Sequence, residues 1–276
     1  MARIIRGEGL HRTHIETELM RESLQDKQIE LRTSPTTVRV LAPAAIITHL
    51  GGRSIIDRGK VALLPLVEEV VACRKQQQLI VGVGAGIRAR HTLAIAADLG
   101  IPPGGMAALI GSVEEQNVRL VQNVFAVHGG IHFTKEQMLL LPVFLRSGAI
   151  PVCTGIPPYR FWEPPPRHGV MPNHGPDCGI FLLAEVLGVK SLIYVKDVDG
   201  VYTDDPKKHP QASFIAQGSV SELLKLPDLP IEREVLYMLE RAHHLKQFRV
   251  INGLVPGLLT RAVNGEAVGT VITKDG

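Results

Sequence analysis

The sequence predicts an α/β protein built on a mostly parallel sheet. Three observations carry this. From Ala44 onward, short apolar runs of strand length alternate with amphipathic stretches of helical period. Several runs end in glycine-rich or Asp-Gly turns that lead into the next segment, which is where open α/β sheets bind ligands. At 276 residues and 45% hydrophobic, the chain can bury one large core without staples.

Taken in order, residues 1–40 mix charges with few apolar positions, as in His11-Arg12-Thr13-His14, and read as an N-terminal arm or outer helix. Residues 41–276 read as one α/β domain. Strands are expected at Ala45 to Leu50, Leu79 to Val83, Ile150 to Thr154, Ser191 to Lys196, Phe248 to Asn252 and Val268 to Thr273. Helical period fits 61–75, 87–98, 114–127, 135–146, 178–187 and 232–246. The stretch Pro157 to Pro176 holds seven prolines and the only tryptophan. Prolines at that density forbid helix and central strand, so this is a stiffened loop, read equally as a surface excursion or a lid over a site.

Composition removes several function classes. The three cysteines are odd in number and widely spaced, which indicates neither a disulfide framework nor a zinc knuckle and favours a reducing cytoplasm. The N-terminal region lacks the apolar core of a signal peptide, and no segment is an apolar run long enough to span a membrane. A formal charge of +3, with scattered basic residues, argues against nucleic acid as a partner.

Three motifs stand at strand ends. Leu50-Gly51-Gly52-Arg53-Ser54 lets backbone amides approach an anion without a Cβ in the way. Gly82 to His91 runs from a strand into a helix N-terminus, where Gly84, Ala85 and Gly86 offer free amides. It is not a full G-x-G-x-x-G, which disfavours a dinucleotide fold. Arg88 and Arg90 read equally as anion clamps or solvated helix residues. The third motif, Val195 to Lys207, gathers Asp197, Asp199, Asp204 and Asp205 beside Lys196 and Lys207, as a metal and nucleotide site requires.

The third motif resembles the amino-acid kinase superfamily, whose uridylate kinase branch carries a similar Lys-x-x-Asp-Gly-Val-[Tyr/Phe]-Thr-x-Asp-Pro segment, and the three motifs stand in that family's order. Within it, Gly51 to Gly59, Gly84 to His91, Gly155 to Tyr159, Phe181 to Glu185 and Val250 to Gly257 are similar to subunits of the molybdenum storage family, the β-type in particular. The resemblance implies a three-layer α/β/α sandwich that binds ATP with Mg²⁺. It also implies a trimer of dimers of like or related subunits, a cage in which molybdate or tungstate condenses into oxide clusters. The alternatives are a uridylate-like nucleoside monophosphate kinase and a non-catalytic paralogue of one. On this resemblance Gly51, Gly52 and Gly84 to Gly86 face the phosphates. Lys196, Asp199, Tyr202, Asp205 and Lys207 border the nucleotide, and Asp177 takes the place of a phosphate- or metal-proximal aspartate.

One departure stands out. The family has Lys-x-Gly-Gly where this chain has His49-Leu50-Gly51-Gly52. Phosphoryl transfer rests on positioning and electrostatic stabilisation, so a side chain of ordinary pKa about 6.5 in place of a permanent cation counts against phosphotransfer. His49 and Asp177 remain the catalytic candidates. Of eleven histidines, His128 and His132 flank Gly129-Gly130 and are the candidate oxide or metal ligands together with Asp177. His168 and His174, in the proline-rich stretch, read rather as surface or hydrogen-bonded residues.

Overall fold

The computed structural model describes residues 2–7, 10–15, 40–155, 174–206 and 208–275. Two units divide the chain, Met1–Arg39 and Val40–Gly276. In the first, β1 (Ala2–Gly7) and β2 (Leu10–Ile15) pair antiparallel, with Gly7 opposite Leu10. Residues 2–7 and 10–15 therefore form paired strands, and residues 16–39 of the expected arm or outer helix lie outside the described residues. The β-branched Ile4, Ile5, Thr13 and Ile15 suit the pleat better than a helix.

The second unit is organised by one eight-stranded sheet. Its order is β10 (Gln217–Ser219), β12 (Thr270–Thr273), β11 (Gln247–Asn252), β7 (Ser191–Lys196), β3 (Ala45–Leu50), β4 (Gln78–Val83), β6 (Ile150–Cys153) and β5 (Gly130–His132). The six strands from β11 to β5 run parallel, while β12 is antiparallel to β11. A short hairpin, β8 (Val201–Tyr202) with β9 (Phe214–Ile215), hangs off the third motif.

Helices cover both faces. Along β3, Ala45 and Ile47 join the core formed with α4 (Leu141–Arg146), α5 (Pro176–Leu187), α6 (Val220–Leu223) and α7 (Glu234–Arg241), whereas Ile46 and Leu50 join the core formed with α1 (Lys60–Cys73), α3 (Pro103–Phe125) and α8 (Leu258–Val263). The period-two alternation of a buried strand feeds both layers. The expected three-layer α/β/α sandwich is what the chain forms. Helix α2 (Gly86–Asp98) packs on α3 through a small cluster of Ala85, Ala89, Leu93, Met106 and Ile110.

Several loop amides are satisfied by distant carboxylates. Glu69 of α1 accepts from the Gly257 and Thr260 amides and the Thr260 hydroxyl at 2.7–2.9 Å, capping α8. Glu185 of α5 accepts from the amides of His243, His244 and Leu245, which ends α7 short of the 232–246 span read from the sequence. Burial would raise the Glu185 pKa, but those three donors hold it below the ordinary glutamate range. Glu185→Gln is expected to cost about 1–2 kcal/mol at neutral pH, read as a shifted urea midpoint. Because the folded pKa is depressed, this stabilisation is complete above the unfolded value of about 4.3 and is lost as pH falls through the folded pKa, where the two chains converge.

Candidate functional site

The carboxyl ends of β3, β4 and β7 lie side by side, and the loops that leave them meet. Gly51 donates its amide to the Val195 carbonyl, and Gly84 donates to that of Leu50, which pins each loop to its neighbour. The approach is closer than any side chain permits. A Cβ on Gly52 would overlap the amide nitrogen of Gly86, and one on Gly84 would lie 2.6 Å from the Gly52 nitrogen.

Two cavities open at this seam. The first, about 560 Å³, is walled by Gly51, Gly52, Ser54, Tyr202, Asp205 and the 228–231 segment. The second, about 780 Å³, is walled by Gly84, Ala85, Gly86, Leu93, His49 and His174. Gly52, Arg53, Arg90, Asp177, Lys196 and Glu232 belong to both walls. These residues are the junction of the site.

Asp177, in the first turn of α5, is the centre of the junction. Both of its carboxylate oxygens accept from Lys196 Nζ at 2.8 Å, and Oδ2 also accepts the Glu232 amide at 3.2 Å. His49 Nε2 lies 3.1 Å from Oδ1 without hydrogen-bond alignment, and neither ring nitrogen of this enclosed histidine has a hydrogen-bond partner. Tyr194 packs edge-on to the His49 ring and donates its hydroxyl to the Asp177 carbonyl. Burial would raise the Asp177 pKa, but the Lys196 charge and the His49 contact hold it well below the usual carboxylate range. Burial pushes the His49 pKa down, against the opposing pull of the Asp177 carboxylate.

Helix α5 starts without a local cap, since Gly175 occupies that position. The Glu232 carboxylate supplies it from across the fold, accepting the Gly175 and Cys178 amides at 3.0 Å and that of Asp177 at 3.4 Å. Burial and the neighbouring Asp177 charge raise its pKa to about 7. Asp57 does the same for α2, accepting the Ile87 amide, and Asn117 of α3 donates to the Gly84 and Ala85 carbonyls at 2.8 and 2.7 Å. Both helix N-termini facing the junction are thus met by carboxylates of the chain itself.

The structure sorts the residues singled out from sequence. Gly51, Gly52, Gly84, Ala85, Gly86, Lys196, Tyr202, Asp205, Asp177 and His49 come together around the two cavities. Arg88 does not line them; its guanidinium bonds to Asn117 and Gln116 of α3. Arg53 and Arg90 face the junction instead, and among the described residues neither has an acidic partner. Asp199 is turned to Tyr202 and Asn252, which donate to it at 3.1 and 2.8 Å. Lys207 and His168 lie outside the described residues.

His132 is elsewhere, at the end of edge strand β5. It lines a third cavity of about 640 Å³ with Glu114, Glu115, Arg119 and Lys135, and its Nε2 lies 2.8 Å from Glu115 Oε1. His128 is not in that wall; its carbonyl accepts from Arg74. Among the described residues no three histidine, cysteine, aspartate or glutamate side chains are grouped to hold a metal ion. Glu232, Asp57 and Asn117 were not singled out from sequence, because their roles depend on contacts 30 to 57 residues away along the chain.

With this geometry in hand, the chain can be set beside known proteins. It is 43% identical to the molybdenum storage protein subunit beta of Azotobacter vinelandii, over 94% of this chain and 97% of that one. A uridylate kinase of Pyrococcus abyssi is 37% identical over 35% of this chain and 45% of its own. Among solved structures, the uridylate kinase of Archaeoglobus fulgidus superposes with a TM-score of 0.65 at 24% identity, covering 83% of this chain and 99% of that one, a likeness of fold. The family model for the amino acid kinase family matches residues 45–245, and the chain belongs to that family.

Proposed function

We propose that this chain is an ATP-binding subunit of a cytoplasmic, cage-like oligomer, a trimer of dimers of like or related subunits, that stores molybdate or tungstate as oxide clusters. The observation that carries the reading is the 43% identity to a molybdenum storage subunit along almost the whole of both chains. ATP would occupy the first cavity, its phosphates directed to the Gly51-Gly52 amides, Arg53, Arg90 and Lys196. Mg²⁺ takes few protein ligands and keeps phosphate oxygens and waters, so Asp204 and Asp205 in the same wall, now paired with His209 and Lys208, would be the groups to hold it beside the nucleotide.

The third cavity is the candidate place for oxide. Its wall carries Glu114, Glu115 and Glu136 against Arg119 and Lys135. His132 and Arg119 pair with Glu115, and Lys135 with Glu136, so a condensed anion there would have to displace those carboxylates before His132 and the two cations could hold it. The test is metal retention after incubation of the purified protein with ATP, Mg²⁺ and molybdate, followed by gel filtration and elemental analysis. Many molybdenum atoms per subunit, dependent on ATP, are expected; one or none overturns the reading.

A second reading, phosphotransfer to a nucleoside monophosphate, is favoured by one observation. The second cavity adjoins the first at Lys196 and Asp177, where an acceptor would meet a terminal phosphate. Turnover of ATP with UMP would establish it.

A further inference from the structure

The wall of the first cavity carries Asp177, Asp197, Asp204, Asp205, Asp228 and Glu232 against Arg53, Arg90 and Lys196. An excess of acids over cations repels a polyanion unless their charge is taken up elsewhere. Asp177 and Glu232 are engaged by Lys196 and by the α5 amides. Asp197 is engaged from outside the wall: it accepts from Arg58 Nη2 at 2.6 Å, and Arg58 lines neither cavity of the seam. The turn that carries Arg58 aims it there. Residues 56–58 form one turn of 3₁₀ helix, in which successive side chains point about 120° apart. Ile56 is buried in the core, Asp57 faces the N-terminus of α2, and Arg58 faces the end of β7. The Asp57 amide donates to the Gly52 carbonyl at 2.9 Å, and the Asp57 carboxylate accepts the Ile87 amide at 2.5 Å. The turn therefore cannot swing Arg58 away without breaking bonds to both glycine-rich loops.

We propose that Arg58 is a positioning residue for the first cavity: from behind the wall it masks the charge of Asp197, which admits an anionic ligand and withholds Asp197 from a divalent cation. The identity of that anion rests on the nucleotide reading; the masking does not. With 46% of the Arg58 side chain and 23% of the Asp197 side chain exposed, the pair contributes little to folding, and its effect falls on what the cavity binds. Released from Arg58, Asp197 would turn its charge on the phosphates and offer one more oxygen to a cation. The two consequences have opposite signs, which a loosened turn would not produce.

The experiment compares the full native chain with Arg58→Met, Arg58→Lys and the double variant Arg58→Met with Asp197→Asn. Mn²⁺ alone is titrated by electron paramagnetic resonance of the free ion, and ATP in the presence of a chelator is titrated by calorimetry. Arg58→Met is expected to bind Mn²⁺ about threefold or more tighter than the native chain. It is expected to bind metal-free ATP about tenfold more weakly at low salt, a gap that narrows as salt is raised. The double variant is expected to lose the Mn²⁺ gain and recover most of the ATP loss, and Arg58→Lys to lie nearer the native chain than Arg58→Met does. If Arg58→Met binds Mn²⁺ no tighter than the native chain, the proposal is overturned. It is equally overturned if the double variant keeps the Mn²⁺ gain or stays as weak for ATP as Arg58→Met. Where the native chain binds no metal-free ATP, the Mn²⁺ titration decides alone; failure to bind ATP with Mg²⁺ as well sinks the nucleotide reading and leaves the masking to that titration. Should Arg58→Met not fold, Arg58→Gln replaces it in both titrations.

Discussion

Asp177→Ala is expected to lose about 3–5 kcal/mol of stability, measured as a fall in the urea midpoint times its slope. The cost arises less from the missing carboxylate than from what it leaves behind. Lys196 keeps only 13% of its side chain exposed, so its ammonium would remain largely enclosed with no counter-charge. The Glu232 amide loses its acceptor as well. Asp177→Asn keeps the shape and one acceptor and is expected to cost less than the alanine variant, which separates charge from packing. The pH dependence has a definite sign. The folded pKa is depressed, so the contribution is complete above the unfolded value of about 3.9 and disappears as pH falls through the folded value. The gap between native and Asp177→Asn proteins should therefore persist at mildly acidic pH and close only in strong acid.

Gly52→Ala is the second large effect. The added methyl would overlap the Gly86 nitrogen and lie 2.6 Å from its Cα and 2.9 Å from the Ala85 carbonyl carbon, all backbone atoms that cannot rotate away. Relief requires the two loops to part, which breaks the seam the ligand would span. A loss of about 3 kcal/mol is expected, at the upper end of overpacking costs, together with loss of ATP binding in calorimetry. Gly111→Ala is the matched control. It lies inside α3, and a Cβ there meets nothing within 4 Å. That change is expected to be neutral or to stabilise by up to about 1 kcal/mol through helix propensity. Equal effects at the two glycines would show that close approach of the loops is not what Gly52 provides.

The strands were the most legible part of the fold. Ala45–Leu50 and Ser191–Lys196 are six-residue runs whose limits match those read from the sequence, because each is apolar and stops at a turn. Helix α3 was less so. It begins at Pro103, eleven residues before the expected start, since Gly104, Gly105 and Gly111 weaken the pattern while Met106, Ala107 and Ile110 still bury against α2. Edge strand β5 is three residues long and carries no periodicity to detect. At the site, the glycines were legible because backbone approach leaves a mark in composition. The role of Arg88 was not, because positions 88 and 90 on α2 differ by about 200° of rotation, and only packing tells which arginine faces α3 and which faces the junction. His49 was legible as a departure, but a single sequence does not show that it and Lys196 reach the same carboxylate.

The capping of α5 by Glu232 also sets a condition on how the chain is made. The helix N-terminus and its acceptor are separated by 54 to 57 positions along the chain. Closing that loop is an entropic cost that must be met before the bonds repay it. A nascent chain that has emerged only as far as α5 has its sheet centre in prospect but no cap for that helix and no partner to orient Asp177. The surroundings of Asp177 are therefore completed only after residue 232 has emerged, and a product ending before it lacks the cap of α5.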